Sequence, residues 1–255
     1  MRQSENQYDT GRFTEDLRAW GVTLTERQLA QFVRYYEMLA EWNERMNLTA
    51  ITAYEDVMKK HFLDSLSLTK VFEGKGFPGG KDAGKGCAAS LIDVGTGAGF
   101  PGLALKIAFP ELKVTLLDSL NKRIQFLEAV IRELELEGVR AVHGRAEDFA
   151  KPGEMRESFD LCVSRAVARL STLAEYCLPF VRQGGMFVAY KSEKVSQEVQ
   201  EAQRAVSLLG GRLEGQTEFM LPNSDIYRNL ILIKKVKPSQ GKYPRKAGLP
   251  GKEPL

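Results

Sequence analysis

The sequence predicts an α/β protein whose core is a mainly parallel, doubly wound sheet of seven strands. From Leu91 onward, short apolar runs alternate with segments of helical periodicity, and right-handed β–α–β crossovers produce this alternation. The first run leads into Asp93–Gly102, which contains four glycines. In open α/β sheets, such a turn between strand and helix is where nucleotide-like ligands bind. Residues 1–72 lack the alternation and predict an N-terminal helical extension.

Two helical stretches are expected in this extension. Thr25 begins a capping box that Gln28 completes, and an apolar face at helical spacing follows it over residues 29–40. The second stretch is expected from about Thr52 to Phe72. Residues 73–90 are rich in Gly and Lys and predict a flexible loop. Its near match to a P-loop, at residues 79–86, lacks the final Ser or Thr and precedes a strand, so we reject it.

The remaining elements follow from the apolar runs and the segments between them. Strands are expected at Leu91–Val94, Lys113–Asp118, Val139–Gly144, Phe159–Ser164, Met186–Lys191, Arg212–Leu221 and Arg228–Lys235. Helices are expected at Pro101–Ala108, Lys122–Glu137, Ser171–Val181 and Lys194–Leu209. The α/β domain therefore covers residues 91–236, and a basic tail covers 237–255. We expect all of these parts to form one structural unit.

Composition and charge exclude several classes of function. Three cysteines without metal-ligand spacing and two histidines argue against a metal site. No apolar run approaches the ~20 residues of a membrane span, and the N-terminus has no signal-peptide core, so a cytoplasmic protein without a membrane partner is expected. The net charge is only +3, but seven basic residues face one acid from Lys234 to the end. Such a tail is either a polyanion contact or a solvated, disordered segment.

The ligand of the glycine loop follows from the acid in front of it. Gly97, Gly99 and Gly102, with Asp118 about 20 residues on, satisfy the dinucleotide pattern, which is weak by itself. The carboxylate of Asp93 would repel a pyrophosphate and favour a cationic ligand. S-adenosylmethionine carries a sulfonium and an ammonium, and its carboxylate suits a helix N-terminus. The loop therefore favours a methyl donor over a dinucleotide.

Other polar residues follow the neighbouring strands. Asp118 suits the hydroxyls of a ribose, or it caps the next helix. Residues 145–148 lie where an adenine edge would be, or they form a short turn capped by Asp148. Arg165 presents a planar fork for phosphate or guanine, or one of Arg165 and Arg169 forms an ion pair with Glu147 or Asp118. Lys191 is a weaker candidate, and Cys162 is expected in the core.

Separated motifs resemble one family in the correct order, from about residue 25 to the C-terminus. They are 47–51 (NLTAI), 61–66 (HFLDSL), the 93–102 loop, 117–123 (LDSLNKR), 145–147 (RAE), 164–168 (SRAVA) and 243–248 (YPRKAG). Together they resemble the bacterial small-subunit rRNA methyltransferase G family, also called glucose-inhibited division protein B. The resemblance implies a class I S-adenosylmethionine-dependent, Rossmann-like fold with an N-terminal helical extension. It implies methylation of guanine N7 in a decoding-region loop of 16S rRNA, on naked RNA or on the small subunit.

The resemblance also assigns roles to residues. It implies donor contacts at Gly95, Phe100, Ala146, Glu147 and Arg165, with Asp118 at the ribose; the loop argument adds Asp93 and Gly97. Guanine N7 carries a lone pair, so no general base is required. We expect the target guanine or its phosphate to be held by Arg165, Arg123 or Lys191, and residues 243–252 to add phosphate contacts and a stacking ring. A monomer is expected, and a small-molecule methyltransferase is the alternative.

Overall fold

The computed structural model describes residues 8–73, 77, 89–153, 155–165, 168–193 and 195–255. Its strands are β1 (Ser90–Val94), β2 (Lys113–Asp118), β3 (Val139–His143), β4 (Phe159–Ser164), β5 (Val181–Lys191), β6 (Gly211–Met220) and β7 (Tyr227–Lys235). They form one seven-stranded sheet in the order β3-β2-β1-β4-β5-β7-β6. Strand β7 runs antiparallel to both β5 and β6, and the other pairs of neighbouring strands run parallel. The predicted fold class is confirmed.

The helices are α1 (Gly11–Arg18), α2 (Glu26–Met46), α3 (Tyr54–Val57), α4 (Asp64–Leu66), α5 (Gly102–Ala108), α6 (Asn121–Glu133), α7 (Ala146–Phe149), α8 (Leu170–Cys177), α9 (Ser196–Leu208) and α10 (Leu249–Lys252). A π-helical segment, Met58–Leu63, joins α3 to α4, and a 3₁₀ segment, Ser67–Phe72, follows. The capping box is confirmed: Gln28 N–H donates to Thr25 Oγ1 over 3.3 Å, and Thr25 N–H donates to Gln28 Oε1 over 2.8 Å.

Two hydrophobic cores lie on opposite faces of the sheet. On one face, the extension packs against α5 and α6, with Phe32, Tyr35 and Phe62 fully buried. On the other face, α8 and α9 cover the sheet. Cys162 is buried in this second core, as the sequence predicts. The extension is therefore built into the protein as one wall of its larger core.

Three element boundaries differ from the prediction by more than two residues. The helix predicted at Ser171–Val181 ends at Cys177, and β5 begins at Val181, which pairs with Phe159. Gly184 and Gly185 obscured this strand in the sequence; a Cβ at Gly185 would lie 2.7 Å from the Asp160 carbonyl, so close packing requires that glycine. Helix α6 stops at Glu133, before the positive-φ Glu135. Most of the predicted 73–90 loop, including the near P-loop, lies outside the described residues.

The C-terminal segment is not the solvated, disordered tail that its charge allowed. Arg156 donates to the carbonyls of Ser239 and Tyr243, each over 2.8 Å. Arg245 forms an ion pair with the fully buried Glu175 over 2.7 Å. The ring of Tyr243 is only 6% exposed, so the expectation that it stacks on a base is wrong. Within the described residues, no helix is both long and apolar enough to cross a membrane.

Candidate functional site

The polar residues predicted from strand ends do meet at one edge of the sheet. Asp93 lies in β1, Asp118 ends β2, and Arg165 follows β4. Strand β1 pairs in parallel with both β2 and β4, so their carboxyl ends are adjacent. The glycine loop leaves β1 at the same edge and leads into α5. The edge thus carries two carboxylates and a guanidinium around a turn that holds four glycines.

Asp93 is a buried carboxylate with only one of its two oxygens satisfied. Its Oδ2 accepts hydrogen bonds from Gly102 N–H over 2.8 Å and from Thr96 Oγ1 over 2.7 Å. Its Oδ1 is buried and has no hydrogen-bond partner among the described residues. Burial raises the pKa of Asp93 to about 6, outweighing the hydrogen bonds and the Arg165 charge, which lower it. A buried, half-satisfied carboxylate calls for a positively charged partner.

The loop glycines fall into two pairs with different roles. Gly95 and Gly97 have φ angles of 72° and 62°, and a Cβ at either would meet nothing within 4 Å. A Cβ at Gly99 would clash with the Tyr35 hydroxyl, and one at Gly102 would clash with Leu116. The second pair therefore permits close packing. The first pair lets the backbone turn and leaves space beside it, which fits a cradle for a ligand.

Asp118 is tied to the loop and to the helix that follows it. Its Oδ2 accepts from Gly97 N–H over 2.9 Å, and its Oδ1 accepts from Leu120 N–H over 2.9 Å. Arg123 lies 3.1 Å from Oδ2. Leu120 is the N-cap residue of α6, so Asp118 supports the start of that helix as well as the glycine turn. A ribose contact at Asp118 stays a prediction.

Arg165 forms an ion pair, but not with the partners that the sequence suggested. Its Nη1 donates to Asp64 Oδ2 over 3.0 Å, in place of Glu147 or Asp118. Its guanidinium lies over the Phe100 ring, 5.2 Å from the centroid. Asp64 belongs to the N-terminal extension, so the extension reaches the edge of the sheet where the glycine loop lies.

His61 packs into the same cluster as a neutral ring. Its imidazole stacks on Phe100 at 4.6 Å between centroids, with an interplanar angle of 13°. Burial and the Arg165 charge lower the pKa of His61 to about 4. Arg165 Nη2 lies 3.3 Å from Nδ1, and Thr49 Oγ1 lies 2.8 Å from Nε2. Because the guanidinium can only donate, Nδ1 accepts and Nε2 carries the proton.

The other predicted residues are held by contacts of their own. Ala146 and Glu147 are buried at the start of α7, and Glu147 Oε1 accepts from Gly248 N–H over 2.8 Å. Lys191 donates to the Ala168 carbonyl over 2.8 Å and to Glu198 over 2.7 Å, so its ammonium group is hydrogen-bonded within the protein. Among the described residues, no cluster of ligating side chains could hold a metal ion.

Three residues of the site were not predicted from the strand ends. Tyr35 donates its hydroxyl proton to the Ala98 carbonyl within the glycine loop. His61 and Asp64 hold Arg165, and Arg228 Nε donates to Asp64 over 2.7 Å. One signal was present: Asp64 is an acid within the apolar stretch 62–66 of a helical segment, which indicates a buried carboxylate with a partner.

The sheet order, the glycine loop and the acids of β1 and β2 define a class I S-adenosylmethionine-dependent methyltransferase. The model of the family described as rRNA small subunit methyltransferase G matches residues 28–227. The chain belongs to that family, as its motifs predicted.

Curated relatives agree over nearly the full length. The Ribosomal RNA small subunit methyltransferase G of Lachnoclostridium phytofermentans is 53% identical over 247 residues, which cover 97% of this chain and 98% of that protein. The protein of the same name from Exiguobacterium sp. is 53% identical over 243 residues, covering 95% and 98% of the two chains. Each alignment therefore covers nearly the whole of both chains.

Proposed function

We propose that this chain transfers the methyl group of S-adenosylmethionine to N7 of a guanine in 16S rRNA, in a loop of the decoding region. The observation that carries the proposal is the buried Asp93, which has an oxygen unpartnered in the described part of the chain and precedes a glycine turn with open space beside Gly95 and Gly97. Membership of the rRNA small subunit methyltransferase G family supports ribosomal RNA as the substrate. The reaction is expected in the cytoplasm, with the protein as a monomer.

The donor would be held by residues of the loop and of the adjacent strand ends. Asp93 supplies negative charge for its cationic end, and Gly95 and Gly97 allow the backbone to approach it. Asp118 suits the ribose, and Ala146 and Glu147 lie where the adenine is expected. Phe100 and Arg165 form the wall toward the extension. When bound, S-adenosylmethionine supplies an electrophilic methyl group with a thioether as the leaving group.

The chemistry asks little of the protein's own acids and bases. The lone pair of guanine N7 forms the new bond to the methyl carbon, and the electron pair of the carbon–sulfur bond goes to sulfur. The positive charge moves to the base, and no proton has to leave N7. Rate therefore depends on alignment and on electrostatic support. This agrees with the engagement of Lys191 and Arg165 in contacts within the protein.

Among the three cationic candidates, Arg123 is the best placed to meet the RNA. Its side chain is 33% exposed, whereas those of Arg165 and Lys191 are 18% and 11% exposed. Its partner Asp118 is shared with backbone N–H groups, so Arg123 retains donors for a phosphate or a guanine edge. We assign Arg165 to the donor side and Arg123 to the target side.

Transfer of labelled methyl groups tests the proposal. The purified protein is incubated with methyl-labelled donor and, in parallel, with naked 16S rRNA, small subunits and a mixture of small-molecule acceptors. Label should enter the RNA or the subunit, and mapping should place it on one guanine as N7-methylguanine. Label confined to small molecules would favour the alternative methyltransferase. Donor binding without transfer to any RNA would refute the proposal.

A further inference from the structure

Asp64 links three parts of the chain that lie far apart in the sequence. It belongs to the helical extension, is 2% exposed, and accepts from Arg165 over 3.0 Å and from Arg228 over 2.7 Å. Arg165 follows β4, and Arg228 lies in β7. Two guanidinium groups therefore share one carboxylate, and the cluster retains a positive charge.

The remaining contacts of Arg165 define the plane of its guanidinium. The His61 ring accepts from Nη2 and is itself fixed by Thr49 and by stacking on Phe100. The Lys60 carbonyl accepts from Nη1 over 3.3 Å. All of these acceptors come from the extension. Of them, Asp64 alone carries a charge, so it supplies the strongest hydrogen bond.

We propose that Asp64 is a positioning residue for methyl transfer, which holds the Arg165 guanidinium against Phe100 at the donor site. The proposal rests on the proposed function, because it assigns Arg165 to the donor. It gives the extension a role in catalysis: the N-terminal helices complete the donor site through this carboxylate. A purely structural buried ion pair is often replaceable by apolar side chains of similar volume. Asp64 instead binds two arginines from different elements, and one of them, Arg165, lies at the donor site. The carboxylate is therefore placed to orient Arg165.

The test compares donor affinity with stability in Asp64→Asn. The substitution preserves the shape of the side chain and removes its charge. The dissociation constant for S-adenosylmethionine, measured by calorimetry where circular dichroism shows a folded protein, should rise roughly 10- to 100-fold, as for loss of a charged hydrogen bond. Arg165→Lys should have a similar effect. The double variant should be no weaker than the worse single variant, because Asp64 acts through Arg165.

Two matched variants separate positioning from general loss of stability. Asp16 is also a 2%-exposed acid of the extension; it accepts from Asn223 over 2.7 Å and lies 3.5 Å from Lys59, away from the glycine loop. Asp16→Asn should lower the melting temperature and leave donor affinity within about twofold. Arg228→Gln, which removes the other partner of Asp64, should also largely preserve donor affinity.

If Asp64→Asn does not fold, Asp64→Glu serves as the second variant. It keeps the charge but displaces the carboxylate, and it should lower the affinity for the donor.

The proposal is overturned if Asp64→Asn or Asp64→Glu binds the donor like the wild type, or if the effects of Asp64→Asn and Arg165→Lys add in the double variant. An equal loss of affinity in Arg228→Gln would also overturn it, because disruption of the whole ion cluster, and not the position of Arg165, would then explain the weaker binding. Calorimetry needs no RNA. A wild-type protein that binds the donor but methylates no RNA would therefore refute the proposed function and leave the role of Asp64 intact.

Discussion

At the scale of single residues, Asp93 shows how burial and hydrogen bonding compete at a binding site. Two donors reach Oδ2, and either would favour the ionised form, yet desolvation is the larger effect and raises the pKa to about 6. Above that pH, the ionised carboxylate therefore lowers the stability of the ligand-free protein. A cationic ligand would offset this cost, which gives a physical reason for an acid at this position.

Asp93→Asn should separate binding from stability. The native pKa of Asp93 lies above the value near 3.9 expected in the unfolded chain, so its contribution to stability is present below that value and is lost as the pH rises through about 6. The ionised group then costs ~3 kcal/mol of unfolding free energy at pH 8. The variant should melt no lower than the wild type at pH 8, yet bind S-adenosylmethionine at least about 100-fold more weakly.

The pH dependence of donor binding provides the control for Asp93. Wild-type affinity should fall about tenfold between pH 7 and pH 5 as the carboxylate is protonated, whereas the affinity of Asp93→Asn should not change through this transition. Calorimetric titrations from pH 5 to pH 8 measure both. Parallel losses of affinity and melting temperature in the variant would show that Asp93 serves only to hold the loop.

At the scale of elements, short-range patterns predicted most of the strands and the capping box, because burial and helix starts leave local signals. Strands β2 and β4 have the predicted bounds. The joint position of Asp93, Asp118 and Arg165 was also predictable, since carboxyl ends of neighbouring parallel strands meet. The contact of Asp64 with Arg165 and the return of the tail along α8 join residues 70 or more positions apart. No local pattern encodes such contacts.

The tail is an element in its own right, and removing residues 238–255 should destabilise the fold. Ser239 Oγ accepts from Lys235 over 2.6 Å, and Arg245 neutralises the buried Glu175. Truncation would leave Glu175 as an uncompensated buried charge, at a cost of ~3–5 kcal/mol. The melting temperature should fall by roughly 10 °C in calorimetry. An unchanged value would mean that these contacts do not form. A loss of activity after truncation is therefore no evidence of RNA contact.

At the scale of the whole molecule, the tail carries charge from one edge of the sheet to the other. Ser239 lies by the end of α9, whereas Gly248 and Pro250 contact Glu147 and Thr172, near the carboxyl ends of β3 and β4. Lys246 and Lys252 are exposed on this returning segment. Arg145 and Arg169, also exposed, follow β3 and β4 at the same edge. A modest net charge thus conceals a basic rim beside the candidate site.

Neutralising Lys246 and Lys252 together should weaken RNA binding without affecting the donor. Each lysine–phosphate ion pair that the substitutions remove should reduce the slope of log affinity against log salt by about 0.7 to 0.9, so Lys246→Gln/Lys252→Gln should lower it by up to about 2. Lys113→Gln/Lys237→Gln removes the same charge from exposed positions at the opposite edge and is the matched control. Filter binding of 16S rRNA across a salt series measures both slopes, and melting curves with donor titrations verify that fold and donor site are intact. Equal slopes for the two pairs would mean that net charge, and not the rim, attracts the RNA.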